Sequence, residues 1–261
     1  MRAILFDSTK CIGCGSCAMA CREKNRLPET SGTDLSDKQF TVVKKIAVKD
    51  GEVNYRRLCM HCRQPACASV CPVGALRKTA NGPVVYDASI CLGCRYCIQA
   101  CPFSVPRYEW NALAPRVRKC DFCDDRLAAG KVNACAEVCP TGATLAGDRD
   151  ELLKEARARL AGEPSKYVQK IYGEKEVGGT SVLMLSSVPF SQFGLPENLP
   201  AEPLPDLTFQ VLSKIPPLVG VGACLLMGLW WLTERRQAVA RAEANMYAEG
   251  GRSADEAAGH D

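Results

Sequence analysis

Residues 91–102 read Cys-Leu-Gly-Cys-Arg-Tyr-Cys-Ile-Gln-Ala-Cys-Pro, which places four cysteines at the spacing C-x2-C-x2-C-x3-C directly before a proline. Similar groups of four lie on both sides of this stretch, so sixteen of the seventeen cysteines in the 261-residue chain are grouped. The groups are Cys11, Cys14, Cys17 and Cys21; Cys59, Cys62, Cys67 and Cys71; Cys91, Cys94, Cys97 and Cys101; and Cys120, Cys123, Cys135 and Cys139. Cys224 lies apart from them in a late apolar stretch.

This spacing predicts iron–sulfur ligation. A C-x2-C-x2-C-x3-C-P segment wraps one loop around a [4Fe–4S] cluster, and its fourth cysteine is directed to a second cluster. The proline keeps the preceding residue out of the helical region, while Gly13, Gly15 and Gly93 let the backbone approach the sulfur atoms. Sixteen thiolates are the complete ligand set for four [4Fe–4S] clusters.

Two other uses of cysteine fit the pattern less well. A structural zinc site takes paired C-x2-C units and has no need of a third cysteine or of the C-P exit. Disulfides rarely join cysteines that lie so close in one loop, and disulfide-rich secreted domains are usually much shorter than 261 residues. A zinc-binding structural module therefore remains only as the alternative reading.

The rest of the composition restricts the function further. A net charge of +4 does not point to nucleic acid, so no nucleic-acid partner is expected. No glycine-rich dinucleotide loop follows a strand and no nucleophile–base pair stands out, so we expect no catalytic residues. His61, between Cys59 and Cys62, is interpreted as a loop residue that tunes a cluster by hydrogen bonding rather than as a ligand.

The elements between the cysteines predict an α+β fold. Short strands are expected at 3–6, 40–48, 83–86 and 178–185, and a helix at 148–160. Groups two and three are separated by only nineteen residues, and groups one and four flank them. This nesting indicates duplicated bacterial-ferredoxin-like two-cluster modules, in which groups two and three pair and groups one and four pair.

The C-terminal part predicts one transmembrane helix. Ile215 to Leu232 carry no charge over eighteen residues, which is near the lower limit for a membrane span, and Trp230 and Trp231 suit an interfacial position. A buried core helix is the alternative. The predicted divisions are a four-cluster domain at 1–147, a helix followed by an extended Pro-rich docking segment at 148–214, the span at 215–232, and a charged, partly disordered tail at 233–261.

The charges around this span predict its orientation. Arg235, Arg236 and Arg241 follow it, whereas Lys214 is the one cation shortly before it. The positive-inside rule then places the C-terminus in the cytoplasm and the cluster domain in the periplasm of a single-pass inner-membrane protein. Because no signal peptide precedes Asp7, we expect export of the folded chain with a signal-bearing partner. A cytoplasmic cluster domain is the alternative.

The chain resembles a known family in four stretches. They are FDSTKCIGCGSCAMAC, CMHCRQPACASVCPVGAL, CLGCRYCIQACPFSVPRYEW and KCDFCDDRLAAGKVNACAEVCPTGA. They are similar to the four-cluster electron-transfer subunits of molybdopterin oxidoreductases and membrane hydrogenases, above all to the formate dehydrogenase N β subunit and the ferredoxin-like subunit of hydrogenase 2. The resemblance covers about 5–145, and Arg22 stands where the first group would carry its proline.

The resemblance implies four ligand sets in which the groups exchange cysteines. Set one is Cys11, Cys14, Cys17 and Cys139; set two is Cys21, Cys120, Cys123 and Cys135; set three is Cys59, Cys62, Cys67 and Cys101; and set four is Cys71, Cys91, Cys94 and Cys97. Because no third-group cysteine is replaced, four [4Fe–4S] clusters are implied rather than a three-iron centre.

The function implied by the resemblance is electron transfer. Such a subunit relays single electrons between a catalytic molybdopterin or NiFe subunit, of the formate dehydrogenase or hydrogenase type, and a membrane cytochrome b that serves quinone. The same relay could serve a terminal reductase for polysulfide or dimethyl sulfoxide. A free-standing ferredoxin-like carrier is a further alternative, but it leaves the membrane segment unexplained.

Overall fold

Strand β1, Arg2–Asp7, is the central strand of a three-stranded sheet. It pairs antiparallel with β8, Thr144–Asp148, and parallel with β9, Val182–Leu185. Because side chains alternate along a strand, Ile4 and Phe6 face the core that contains many of the cysteines, and Ala3 and Leu5 face the opposite core. Both faces of β1 are therefore buried, and each large apolar side chain contributes roughly 1.5–3 kcal/mol to stability.

The computed structural model describes residues 1–48 and 51–257, with side chains as far as residue 246. Short strands and helices are mixed throughout, as predicted. The remaining strands are β2 Val42–Val48, β3 Gly51–Arg57, β4 Leu76–Lys78, β5 Val84–Tyr86, β6 Arg107–Tyr108 and β7 Val117–Arg118. The helices are α1 Ser16–Lys24, α2 Ala66–Ser69, α3 Tyr96–Gln99, α4 Asp124–Ala128, α5 Ala134–Glu137, α6 Arg149–Gly162, α7 Leu204–Leu212 and α8 Ile215–Ala257, and 3-10 turns lie at Ser8–Lys10, Glu176–Gly178 and Phe190–Phe193.

Three two-stranded antiparallel ladders complete the strand pairing in the described residues: β2 with β3, β4 with β5, and β6 with β7. The β2–β3 ladder is the longest and runs from the Val42–Arg57 pair to the Val48–Gly51 pair. On β3, Tyr55 and Arg56 are both buried, so this strand is covered on both faces. Residues Met1–Leu207 form one compact unit, and residues from Thr208 onward form another.

Helix α6 starts at the predicted place. The Asp148 side chain accepts a hydrogen bond from the Asp150 backbone N–H at 2.9 Å, which satisfies one of the free N–H groups of the first turn. Leu152, Leu153 and Ala156 bury the inner face of the helix against Leu5 and the opposite side of β1. The helix thus seals the face of the sheet that points away from most of the cysteines.

The Pro-rich segment after residue 188 differs from the extended chain predicted for it. Pro189 leads into the 3-10 turn Phe190–Phe193, and Phe190 and Phe193 are both buried. The Phe193 ring stacks on Tyr55 with 4.5 Å between centroids. Helix α7 follows at Leu204–Leu212. The prolines are therefore compatible with turns and helix starts. Burial of the aromatic rings provides the favourable free energy that packs this segment against the rest of its unit.

Helix α8 contains the apolar stretch that was predicted to span a membrane. Within the described residues, the segment Leu204–Met246 includes one helix long and apolar enough to cross a bilayer, with a mean hydropathy of 1.8 and none of the apolar window buried. The helix continues through the charged tail to Ala257, where a disordered end was expected. Residues 258–261 lie outside the described part of the chain.

Candidate metal centres

The short helices beside the cysteine loops pack in two pairs. Helix α1 of the first group packs against α5 of the fourth, and α2 of the second group packs against α3 of the third. Groups far apart in sequence are thereby brought side by side, whereas groups two and three stay local. This arrangement gives each group a neighbour with which to exchange its fourth cysteine.

The cysteines of set one lie around one cavity. Cys11, Cys14, Cys17 and Cys139 all line this cavity. Burial raises the pKa of Cys11, and the neighbouring Cys139 and Cys14 sulfurs raise it further. Cys14 is the exposed member, and the Ser16 hydroxyl lowers its pKa by hydrogen bonding. The first and fourth groups thus converge here.

Set two is buried in all of its members. Burial raises the pKa of Cys21 to about 12, with Cys135 and Cys123 as neighbouring sulfurs that add to the effect. Burial likewise raises the pKa of Cys120, next to Cys21 and Cys123. Cys21 from the first group is therefore brought together with three cysteines of the fourth group.

Sets three and four are assembled from the second and third groups. Burial raises the pKa of Cys62, and its neighbouring sulfurs are Cys59, Cys101 and Cys67. Burial also raises the pKa of Cys97 to about 11, and its neighbouring sulfurs are Cys91, Cys94 and Cys71. In each of these sets, three cysteines come from one group and the fourth cysteine comes from the other group.

In each of the first three sets, a cysteine has an electrostatic neighbour among the cysteines of the next set. Cys17 of set one neighbours Cys135 of set two, and Cys120 of set two neighbours Cys59 of set three. Cys67 of set three in turn neighbours Cys97 of set four. The sets therefore follow one another in the order one, two, three, four. The two exposed cysteines of the sixteen, Cys14 and Cys94, belong to sets one and four.

Backbone N–H groups point at several of these sulfurs. They are Gly93 N to Cys91 at 3.4 Å, Phe122 N to Cys120 at 3.3 Å, Ala75 N to Cys71 at 3.2 Å and Thr144 N to Cys139 at 3.4 Å. N–H···S contacts stabilise the negative charge of a thiolate, and hydrogen bonds to sulfur help set the potential of an iron–sulfur cluster. The local backbone is thus suited to hold the sulfurs as metal-bound thiolates.

The missing proline of the first group has a structural reason. Pro72, Pro102 and Pro140 each follow the end of a four-residue helix, where no further helical N–H is needed. Cys21 instead lies inside α1, which continues to Lys24. A proline at position 22 would remove a helical N–H and clash with the preceding turn, so Arg22 preserves the longer helix.

A buried arginine provides a test of whether these cysteines suit an anionic cofactor. Arg56 is 1% exposed, and its guanidinium donates to Thr41 Oγ1 at 3.0 Å and to Thr144 Oγ1 at 3.2 Å. Within the described residues it has no carboxylate partner, and the sulfurs of Cys135 and Cys17 are its foremost electrostatic neighbours. Because a buried cation needs an opposite charge, the site fits thiolate-bound, anionic clusters.

His61 is held differently from the prediction. Its Nδ1 accepts a hydrogen bond from the Val84 backbone N–H at 2.9 Å, and its ring lies 4.6 Å from that of Phe122. Burial lowers the pKa of His61, and the nearby Lys119 and Lys78 lower it further. The imidazole is therefore neutral, and the hydrogen bond found for it fixes strand β5 rather than a sulfur.

Two observations concern disulfides and zinc binding, the two other uses of cysteine considered above. All seventeen cysteines lie in the described residues and are free thiols. Among the same residues, no three His, Cys, Asp or Glu side chains converge on the position of a single metal ion. A four-iron cluster binds each thiolate at a different iron, so its ligands stand around a larger volume than the ligands of one zinc ion.

Comparison with known proteins identifies the same motif. Two family models described as 4Fe-4S dicluster domain match residues 53–149 and residues 10–75. Together they cover all sixteen grouped cysteines. The fold and the cysteine sets therefore define an iron–sulfur protein of the [4Fe–4S] dicluster class.

Individual relatives define the family more closely. A protein of Nitratidesulfovibrio vulgaris is 40% identical over 92% of this chain and 69% of its own length. The hydrogenase-2 operon protein HybA of Escherichia coli O157:H7 is 37% identical over 74% of this chain and 72% of its own length. The formate dehydrogenase-O iron-sulfur subunit of Escherichia coli K12 is 37% identical over 75% of this chain and 71% of its own length. The chain belongs to this family of ferredoxin-like electron-transfer subunits.

Several residues that shape the site were not singled out from the sequence. Arg56 is one of two adjacent arginines, and Asn54, Asn25 and Thr144 are ordinary polar residues between the cysteine groups. Asn54 Nδ2 donates to the Cys11 carbonyl at 2.7 Å, and Asn25 Nδ2 donates to the Cys21 carbonyl at 2.9 Å. Their positions depend on pairing between distant segments, for which no local motif exists.

Proposed function

We propose that this chain relays single electrons between a catalytic oxidoreductase subunit and a membrane cytochrome b that serves quinone. Sets one to four are proposed as the ligands of four [4Fe–4S] clusters. Bound clusters of this type supply one-electron redox chemistry. The observation that carries the proposal is the succession of the four sets, in which the first and the last set each have an exposed cysteine, Cys14 and Cys94.

The protein's own residues perform three tasks in this proposal. The cysteines hold the metal, and the N–H groups of Ala75 and Thr144 stabilise the thiolates of Cys71 and Cys139. The burial of set two excludes water from the interior of the path. The exposed ends leave room for electron exchange with a partner at each end.

The relatives support the choice of partner class. Their names describe iron–sulfur subunits of formate dehydrogenase and a hydrogenase-2 operon protein, so we propose a molybdopterin or NiFe catalytic subunit as one partner. The apolar helix α8 supports a membrane partner of the cytochrome b type. We propose a single pass through the inner membrane with the cluster unit periplasmic and the C-terminus cytoplasmic, because the arginines follow the apolar stretch.

Purification of the native complex in mild detergent tests this proposal. We expect about sixteen irons per chain, in line with four [4Fe–4S] clusters, together with a catalytic subunit and a cytochrome b. Zinc in place of iron, or a chain without partners, would contradict it. The accompanying variant is Cys97→Ser, which should disturb one cluster and stop electron flow to quinone while dye-linked oxidation by the catalytic subunit persists. Loss of the dye-linked activity with survival of the quinone route would refute the relay.

A further inference from the structure

Arg56 lies between the cysteines of set one and those of set two. It is on β3, and its Nη1 donates to Thr144 Oγ1 at 3.2 Å, while the Thr144 backbone N–H donates to the set-one sulfur of Cys139 at 3.4 Å. On the other side, Cys135 of set two is the foremost of its neighbouring sulfurs. One guanidinium thus faces both sets.

The position of this guanidinium is fixed by the fold. Its Nε donates to Thr41 Oγ1 at 3.0 Å, so Thr41, directly before β2, and Thr144 on β8 hold it from two directions. The side chain is 1% exposed, which leaves water no role in screening its charge. An arginine does not lose its proton inside proteins, so the charge is permanent.

The absence of an acidic partner distinguishes Arg56 from two other arginines near the sets. In the described residues, Arg57 pairs with Asp34 at 3.1 Å, and Arg118 pairs with Glu109 at 3.1 Å. Arg56 makes no such pair, and the two oxygen atoms that accept its hydrogen bonds are neutral hydroxyls. Its charge is therefore available to the sulfurs and to whatever metal they hold.

We propose that Arg56 is a shared positive charge that favours electron uptake at sets one and two. A cation adjacent to an anionic centre lowers the free energy of adding an electron to it, and the effect is large where water is excluded. Since the same charge faces both sets, it favours the added electron on each of them, and this gain offsets part of the repulsion between the two electrons. Sets three and four, on the far side of set two, are not its direct neighbours.

This inference rests on the proposed four-cluster function, so the test separates the two. Iron is first counted in the wild-type complex, and about sixteen irons per chain establish the four clusters independently of any potential. Redox titrations followed by electron paramagnetic resonance are then performed on Arg56→Gln, Arg56→Lys and Arg57→Gln. Arg57→Gln is the matched control, because it removes the neighbouring arginine charge, which is already paired with Asp34.

The expected result is selective. In Arg56→Gln, two of the four one-electron steps should become at least tenfold less favourable, which is a shift of about 59 mV to lower potential, and the other two should stay in place. In Arg56→Lys, the equilibrium constants of all four one-electron steps should stay within about threefold of the wild-type values, since the charge is retained. Arg57→Gln should likewise keep all four within about threefold.

Two outcomes would overturn the proposal. One is an Arg56→Gln complex with its full iron content and four unchanged potentials. The other is an Arg56→Lys complex whose potentials or iron content change as much as those of Arg56→Gln, because the role would then be to hold Thr41 and Thr144 in place rather than to supply charge. If Arg56→Gln does not assemble its clusters, Arg56→Lys decides the question alone by the same criterion.

Discussion

Asn54 on β3 donates a hydrogen bond from Nδ2 to the Cys11 carbonyl oxygen at 2.7 Å, and its Oδ1 lies 2.6 Å from the place where a Cβ on Gly13 would be. One side chain therefore both holds the start of the first cysteine loop and limits the size of residue 13. Gly13 also has φ +73°, a conformation that costs little for glycine alone. The loop of set one is thus hydrogen-bonded to a strand more than forty residues away in the sequence.

The first prediction concerns this contact. Gly13→Ala should lower the iron content by about four per chain, the content of one [4Fe–4S] cluster, because the new methyl group collides with Asn54. Gly15→Ala is the control, since Gly15 has a similar φ of +75° and nothing within 4 Å of its Cβ position. Gly15→Ala should keep its iron and cost about 1 kcal/mol of backbone strain. Equal iron loss in both variants would show that the positive φ, and not the collision, is decisive.

The second prediction concerns a buried ion pair at the end of β1. Asp7 is fully buried, and its carboxylate accepts from Arg159 Nη1 at 2.9 Å and from the Tyr167 hydroxyl at 3.0 Å. Asp7→Asn should destabilise the cluster unit by about 3 kcal/mol, because Arg159 would lose its fully buried partner and keep only the half-exposed Glu155, 2.8 Å from its Nε. Thermal unfolding of the full chain in detergent measures this.

The matched control is an exposed pair on the same helix, α6. Glu151 and Lys154 are 2.9 Å apart with both side chains 69% exposed. Glu151→Gln should change stability by no more than about 0.5 kcal/mol, since exposed pairs of this kind contribute little. A destabilisation as large as that of Asp7→Asn would mean that the charge of the helix, rather than burial, controls the effect.

The third prediction follows from the different burial of the four sets. Mild oxidation with ferricyanide should release iron from the full chain in at least two phases. The early phase should come from sets one and four, which have the exposed cysteines Cys14 and Cys94, and the last iron to leave should be that of set two, whose four cysteines are all buried. Iron release timed together with electron paramagnetic resonance checks this, and a single phase for all iron would contradict it.

The fourth prediction concerns the membrane. Ser213→Cys and Gln237→Cys place thiols on the two sides of the apolar stretch. If the orientation proposed from the positive-inside rule holds, a membrane-impermeant maleimide should label position 213 in spheroplasts and position 237 in inverted vesicles. Wild-type Cys224, inside the stretch, should remain unlabelled and serves as the control. Labelling of both engineered thiols from one side would mean that α8 does not cross the membrane.

The parts of the fold that could be predicted rest on local chemistry. The spacing of Cys91, Cys94 and Cys97 is the spacing that a loop around three irons requires, so it can be recognised within twelve residues. Asp148, a typical N-cap residue, indicates the start of helix α6, and a long uncharged stretch indicates helix α8. The cysteine sets implied by the family resemblance are the sets whose sulfurs lie together in the structure; their role as cluster ligands remains a prediction.

Other features depend on contacts between distant segments. Strand β9 joins β1 in parallel across about 180 residues, as in the Ile4–Val182 pair, and no local pattern predicts that partner. The prolines after residue 188 suggested an extended chain, but burial of Phe190 and Phe193 folds it into a turn. Long-range burial overrides local preference because it removes more apolar surface from water than a short segment can remove alone.

Arg56 and Arg57 separate what the sequence alone can predict from what depends on the tertiary structure. The two residues are identical in type and adjacent in sequence, so composition, charge and spacing treat them alike. Alternation along a strand directs the two side chains to opposite faces, but only the segments packed against β3 decide which face is buried. These segments bury Arg56 between Thr41 and Thr144. Arg57 is left to pair with Asp34 at 3.1 Å. Ligand spacing is local and can be seen along the chain, whereas the electrostatic surroundings of those ligands arise only when distant segments exclude water together.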